Sequence, residues 1–107
     1  MTDNVLDQAR DSLDGGRAWC KNEGRDGQGR MCIAGAIDAL ALDRVPYLAA
    51  RVALEGVIAE QYPCRSVHSV FGTVMISVFN DHPATTWADI DMVLDKAARL
   101  LDEQVPA

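Results

Sequence analysis

The last third of the chain constrains the fold most. Trp87, Ile90, Leu94, Ala97 and Leu101 recur at intervals of three and four residues, and Val93, Ala98 and Leu100 widen the same face. That spacing gathers apolar side chains on one side of an α-helix. A strand, whose side chains alternate, would scatter them over both faces. Thr86 to Asp89 reads as a capping box, although an aspartate reaches back less far than the usual glutamate. Asp89 and Asp91 lie near the positive end of the helix dipole, Lys96 and Arg99 toward the negative end. Asp95 and Arg99 are spaced for an ion pair. An amphipathic helix of this length needs apolar surface to pack on, so the rest of the chain must supply it.

Four further segments offer that surface. Val5, Leu6, Ala9 and Leu13 predict a helix from Asp3 to Leu13 with Thr2 as N-cap, stopped by Gly15-Gly16. "IAGAIDALAL", Ile33 to Leu42, predicts a small-residue helix, apolar nearly all round and central in the domain. A helix opening on Pro46 and ending at Pro63 carries Leu48, Val52, Glu55, Ile58, Ala59 and Tyr62 at helical spacing. Val67, Val70, Phe71, Val74, Met75 and Val78 fit a helix too, with strand as the competing reading because the run is rich in β-branched residues. Between the first two helices, Trp19–Lys21 and Arg30–Cys32 read as two short strands around an Asp26-Gly27 turn, or as a loop. Val105-Pro106-Ala107 reads as a frayed tail. The expected fold is mainly α: an irregular four- to five-helix bundle in a single domain, 1–107, with a small β-hairpin or loop insertion near 19–32. A chain of 107 residues buries enough surface to need neither disulfide nor metal.

Charge removes several functions. The formal net charge is −6, and the ten Lys and Arg residues are scattered apart from a loose cluster at Arg17, Lys21, Arg25 and Arg30. Direct nucleic-acid binding normally needs a basic patch, so none is expected. The carboxylates alternate with apolar positions as on solvated helix faces, which also argues against imitation of DNA. Gly24, Gly27 and Gly29 match neither GxGxxG nor a P-loop and read as turn glycines. The acidic N-terminus lacks the apolar core of a signal peptide, and no run reaches the ~18 apolar residues of a membrane span. An odd count of three cysteines does not suit a secreted disulfide scaffold. These features predict a cytoplasmic protein with reduced thiols and no membrane partner.

Three groups of residues invite a chemical reading. Cys20, Cys32, Cys64 and His68, or His82 in exchange, could form a tetrahedral metal site. Structural zinc sites supply ligands in tight pairs, however, and eleven residues separate Cys20 from Cys32. No metal and no cofactor are expected, and Cys20 and Cys32 read as packed thiols. Cys64, between Pro63 and Arg65, with His68 one turn on, has the outline of a nucleophile and base, but the sequence offers no orienting group or oxyanion hole. "NDHP", Asn80 to Pro83, reads as a helix stop: Asn80 left-handed, Asp81 bonding nearby amides, Pro83 blocking continuation. Asn80, Asp81 and His82 remain a possible ligand or structural motif. Trp19 and Trp87 read as core anchors. Trp19, with Arg17 and Lys21 beside it, is the better candidate for a contact residue, because aromatic and arginine side chains dominate interface hot spots.

Taken together, "W-C…GRMCIAGAI" and "FNDHPATTWADIDMVLDKAARLL" resemble the DUF6197 family of small proteins from actinobacteria and their phages. The resemblance covers roughly 17–42 and 78–101. It rests on Trp19, Cys32, Gly35, Ala36, Asn80, Asp81, Pro83, Thr86, Asp89, Leu94, Asp95 and Ala97, with Phe79 where tryptophan is more usual. It implies no activity, cofactor or catalytic residue. It implies an actinobacterial or phage origin, and with it a protein partner from phage or host. With no convincing acid/base constellation, phosphate loop or metal set in a small acidic chain, the leading expectation is a non-enzymatic interaction module with a contact surface at Arg17, Trp19, Lys21, Arg25 and Arg30. The alternatives are a small enzyme or ligand-binding domain using Asn80, Asp81 and His82 or Cys64 and His68, and a homodimer-dependent regulatory protein joined through Val67–Phe79.

Overall fold

The structure is a computed structural model describing residues 4–23, 25–40, 44–65 and 76–104, with backbone alone at 44–46 and 104. Five α-helices follow one another: α1 Val5–Ser12, α2 Ile33–Leu40, α3 Arg44–Gln61, α4 Ile76–Asp81 and α5 Trp87–Gln104. No strand forms among the described residues, and the fold is the mainly α bundle that the periodicities predict. All five helices contribute to one core, from Leu6 and Leu13 through Ile37, Leu54 and Phe79 to Leu94.

α5 packs against both α1 and α3 and makes its most extensive contact with α3. Ile90, Val93, Leu94, Ala97, Ala98 and Leu101 are buried along it, as their spacing requires. Its capping aspartate is long enough: Asp89 Oδ2 accepts the Thr86 N–H at 3.0 Å. α1 is capped by Asn4 rather than Thr2. Asn4 Oδ1 accepts the Leu6 and Asp7 amides at 3.0 and 3.1 Å, and Asp7 reciprocates on the Asn4 N–H at 3.2 Å. Asn4 also donates through Nδ2 to the Ala98 carbonyl and Asp102, both at 2.9 Å, so one side chain starts α1 and pins it to the end of α5. One turn from the other end of α1, Arg10 grips Asp91 at 2.6 Å and Asp95 at 3.2 Å.

After α1 the chain makes one 3-10 turn, Asp14–Gly16, with Gly15 at φ 62° and Gly16 at φ 94°. Gly16 is required twice over. Its φ suits glycine, and a Cβ there would lie 2.7 Å from Trp87 Cγ.

Two expectations change, and one open alternative is decided. Of the hairpin and the loop expected near 19–32, the segment is the loop. Trp19 pairs with Met31 in parallel sense, through Met31 N–H to Ala18 O at 2.8 Å and Cys20 N–H to Met31 O at 3.0 Å, and Arg25 pairs with Met31 from the other side. Two consecutive hairpin strands would have run antiparallel. The expected turn does form: Asp26 accepts the amides of Gln28 and Arg30 and the Arg30 guanidinium.

α2 is one-sided instead of central, with Ile33, Ala36 and Ile37 buried and Asp38 and Ala39 exposed. α3 starts at Arg44, leaving Pro46 in its first turn, where the missing N–H costs nothing. Its buried face is Ala50, Ala53, Leu54, Val57 and Ile58, while Leu48 and Val52 are 47% and 67% exposed. Alanines let α3 sit close to its neighbours, so the small side chains mark the packed face and the larger Leu48 and Val52 do not.

In α4, Ile76, Phe79 and Asn80 point into the core and Val78 is half-buried. The earlier members of the Val67–Val78 pattern, and with them most of the helix proposed for a homodimer, lie outside the described residues, as does His68.

Candidate functional site: a loop held by a buried asparagine

α4 places Asn80 one turn beyond Ile76, on the same inward face, where it is fully buried. A buried amide must find partners for all its polar positions, and this one does. Asn80 Oδ1 accepts the Trp19 indole N–H at 2.8 Å and the Ile33 amide at 3.1 Å. Asn80 Nδ2 donates to the Cys20 carbonyl at 3.0 Å and to Asp81 Oδ1 at 2.9 Å. The same Asp81 oxygen accepts the Asn22 amide at 2.7 Å. The His82 carbonyl accepts the Lys21 ammonium at 2.8 Å, while His82 Nδ1 accepts the Ala84 amide at 3.0 Å.

This corrects the reading of "NDHP". Asn80 is not a left-handed helix stop. Among the described residues only Asp14 and Asn22 are non-glycine residues at positive φ, and α4 runs on through Asp81. Asp81 accepts the backbone amide of a distant loop residue, Asn22, and the side-chain amide of Asn80, where a backbone amide of its own turn was expected. The motif is a clamp. It holds both ends of the segment 19–33 against α4, which is why two separate candidate groups, Trp19 with Lys21 and Asn80 with Asp81 and His82, occupy one place.

The clamp is packed as well as hydrogen-bonded. Trp19 and Trp87 are both half-buried, with ring centroids 6.2 Å apart and planes tilted by 51°. The Lys21 ammonium lies 5.7 Å from the Trp19 centroid, a cation–π distance. Trp19 and Lys21 are therefore tied inward. Of the five expected contact residues, Arg17, Arg25 and Arg30 are exposed. Arg30 is paired with Asp26 at 2.6 Å, and Arg17 stands 3.5 Å from Asp14.

A second polar group braces the start of α5. Asp89 accepts from Arg65 at 2.9 Å and Tyr62 at 3.1 Å as well as from the Thr86 amide. Burial pushes its pKa up, but those three donors and the guanidinium charge outweigh it and hold the carboxyl below its ordinary value. The Arg65 guanidinium also sits 4.7 Å from the Tyr62 ring centroid.

The thiols take three different environments: Cys64 exposed, Cys20 half-exposed, Cys32 buried. Cys64 lies on a 3-10 turn, Pro63–Arg65. Among the described residues no three His, Cys, Asp or Glu side chains form a group that could hold a metal. An open cleft of about 280 Å³ adjoins the clamp, with Asn22, Glu23, Cys32, Asp38 and Asp81 among its lining residues. No helix among the described residues is long and apolar enough to cross a membrane.

A family model described as "Family of unknown function (DUF6197)" matches residues 1–100, and the chain belongs to that family. The match takes in the middle of the chain as well as the two blocks that carry the resemblance. Comparison with curated proteins and with solved structures returns no match.

Sequence reasoning missed Asn80 as the hub. The available signal was its position: it follows Phe79 and stands four residues after Ile76, on the apolar face, where a polar residue must be a satisfied hydrogen-bonder. The long-range contacts of Asn4, Arg10 and Gly16 are made with residues more than seventy positions away and leave no local mark.

Proposed function

We propose that the chain is a non-enzymatic binding module that presents the loop 17–31 to a protein partner carrying carboxylates, contacting it through Arg17, Arg25 and Arg30 with Trp19 and Lys21 as the loop's anchors. One observation carries this reading. The amide of Asn80, a member of the alternative Asn80–Asp81–His82 site, has its oxygen and nitrogen both committed, with three of its four bonds made to Trp19, Cys20 and Ile33, while the arginines of that loop face outward on a protein of net charge −6. A rigid loop of opposite sign to the rest of the surface favours one orientation of approach. The family resemblance favours a phage or actinobacterial setting, with the partner a host or phage protein in the cytoplasm.

The test is affinity capture from the native host with the wild-type chain and with Arg17→Glu/Arg25→Glu, whose circular dichroism must match wild type. Recovery of a stoichiometric partner by wild type and its loss with the variant supports the reading. Equal recovery by both removes this surface.

A further inference from the structure

We infer that Cys20 and Cys32 form a reversible disulfide that staples the two roots of the loop under oxidation. Three independent features place them together. The isolated parallel bridge between Trp19 and Met31 brings two stretches of chain together at a spacing that in sheets is about 4.8 Å, and Cys20 and Cys32 are the residues that follow the bridged pair; a disulfide spans Cα separations of about 4.4–6.8 Å. The Asn80 amide spans them, bonding the Cys20 carbonyl at 3.0 Å and the amide of Ile33, the residue after Cys32, at 3.1 Å. The Cys20 thiol contacts the Glu23 carbonyl at 3.4 Å, and Glu23 and Cys32 line the same cleft. Burial, then Asp26, then Cys32 push the pKa of the Cys20 thiol up.

The cysteines are thus prepositioned whether or not their sulfurs are bonded, and a prepositioned pair closes far more readily than one in a flexible chain. With glutathione disulfide as oxidant, the Cys20 thiol loses its proton and attacks, forming a mixed disulfide and releasing one glutathione. Cys32 then loses its proton, attacks the Cys20 sulfur and releases the second. The cysteines give up two electrons and two protons, and the glutathione disulfide takes them. The new bond replaces the two S–H···O contacts of Cys20, to Glu23 and Arg30, and forms at a Cys32 sulfur that accepts the Gly35 N–H at 3.3 Å. The pairing does not depend on what the loop binds.

The experiment uses the full chain with Cys64→Ser, equilibrated in glutathione buffers, acid-quenched, and read by intact mass and tryptic mapping. The expected product has lost two hydrogens, carries no glutathione, and links peptide 18–21 to peptide 31–44. Its fraction in the folded chain should exceed that in the urea-unfolded chain at least about tenfold. Should Cys64→Ser fold poorly, wild type with Cys64 blocked by brief alkylation serves instead. A stable glutathione adduct on Cys20, or no excess over the unfolded chain, would overturn the proposal.

Discussion

The indole N–H of Trp19 donates to Asn80 Oδ1 at 2.8 Å across sixty-one residues of sequence. That bond, with the three others made by the same amide, turns a glycine-rich loop into a fixed part of the fold. Replacing Asn80 with alanine leaves the Trp19 and Ile33 donors without their acceptor and the Cys20 carbonyl without its donor. The expected loss is about 2–4 kcal/mol of unfolding free energy, since each buried orphan costs ~1–3 kcal/mol and some are rewetted. Urea denaturation followed by tryptophan fluorescence measures it. A loss below ~0.5 kcal/mol, the size of an ordinary surface substitution, would mean the amide is not holding the loop.

Gly16 and Gly15 make a matched comparison. Both have positive φ, but a Cβ on Gly16 meets Trp87 Cγ at 2.7 Å, whereas one on Gly15 meets open space. Gly15→Ala should cost ~1 kcal/mol from backbone conformation alone. Gly16→Ala adds the displacement of a packed indole, a further ~1–3 kcal/mol. Thermal melts of the two variants should separate accordingly, and equal melting points would remove the close approach to Trp87.

Acid sensitivity should trace partly to Asp89. Its folded pKa lies below its unfolded one, so its contribution is present above the unfolded value and is lost as pH falls through the folded value. Asp89→Asn removes that titration. The variant should be less stable than wild type at pH 7, with the gap narrowing as pH falls below about 4. Chemical denaturation at a series of pH values tests this, and a gap that stayed constant would contradict it.

Thiol reactivity should follow exposure. Exposed Cys64 reacts first with a disulfide reagent, while Cys20, half-exposed and raised in pKa chiefly by burial, follows. Cys32, buried at the start of α2, waits for opening of the fold. Timed alkylation with mass mapping gives the order, and Cys32 labelling as fast as Cys64 would show an open α2 junction.

Much of the helical frame was legible because periodicity is a local property. From Trp87 to Leu101 the residues the spacing names are buried, apart from the half-buried Trp87 and Leu100. α3 was legible as a helix but not in its facing. Leu48 and Val52 drew the apolar stripe toward themselves, whereas Ala50 and Ala53 turned out to mark the packed side, a choice made by the closeness of neighbouring helices. The clamp was not legible at all. Trp19 and Asn80 each carry a plausible local role, as contact residue and as helix stop, and only their meeting assigns them one role together. The choice between hairpin and loop was open for the same reason: Asn80 on α4 bonds Trp19, Cys20 and Ile33 where Met31 returns parallel beside Trp19, and no reading confined to 17–37 contains α4.

The account rests on the loop being docked through Asn80, and amide and indole hydrogen exchange by NMR tests that most directly. The Trp19 indole N–H and the Ile33 amide should be protected in wild type. In Asn80→Ala both should exchange faster, while amides in α5 around Val93 and Leu94 keep most of their protection. Rapid exchange of the Trp19 indole and Ile33 amide in the wild-type chain would contradict the account.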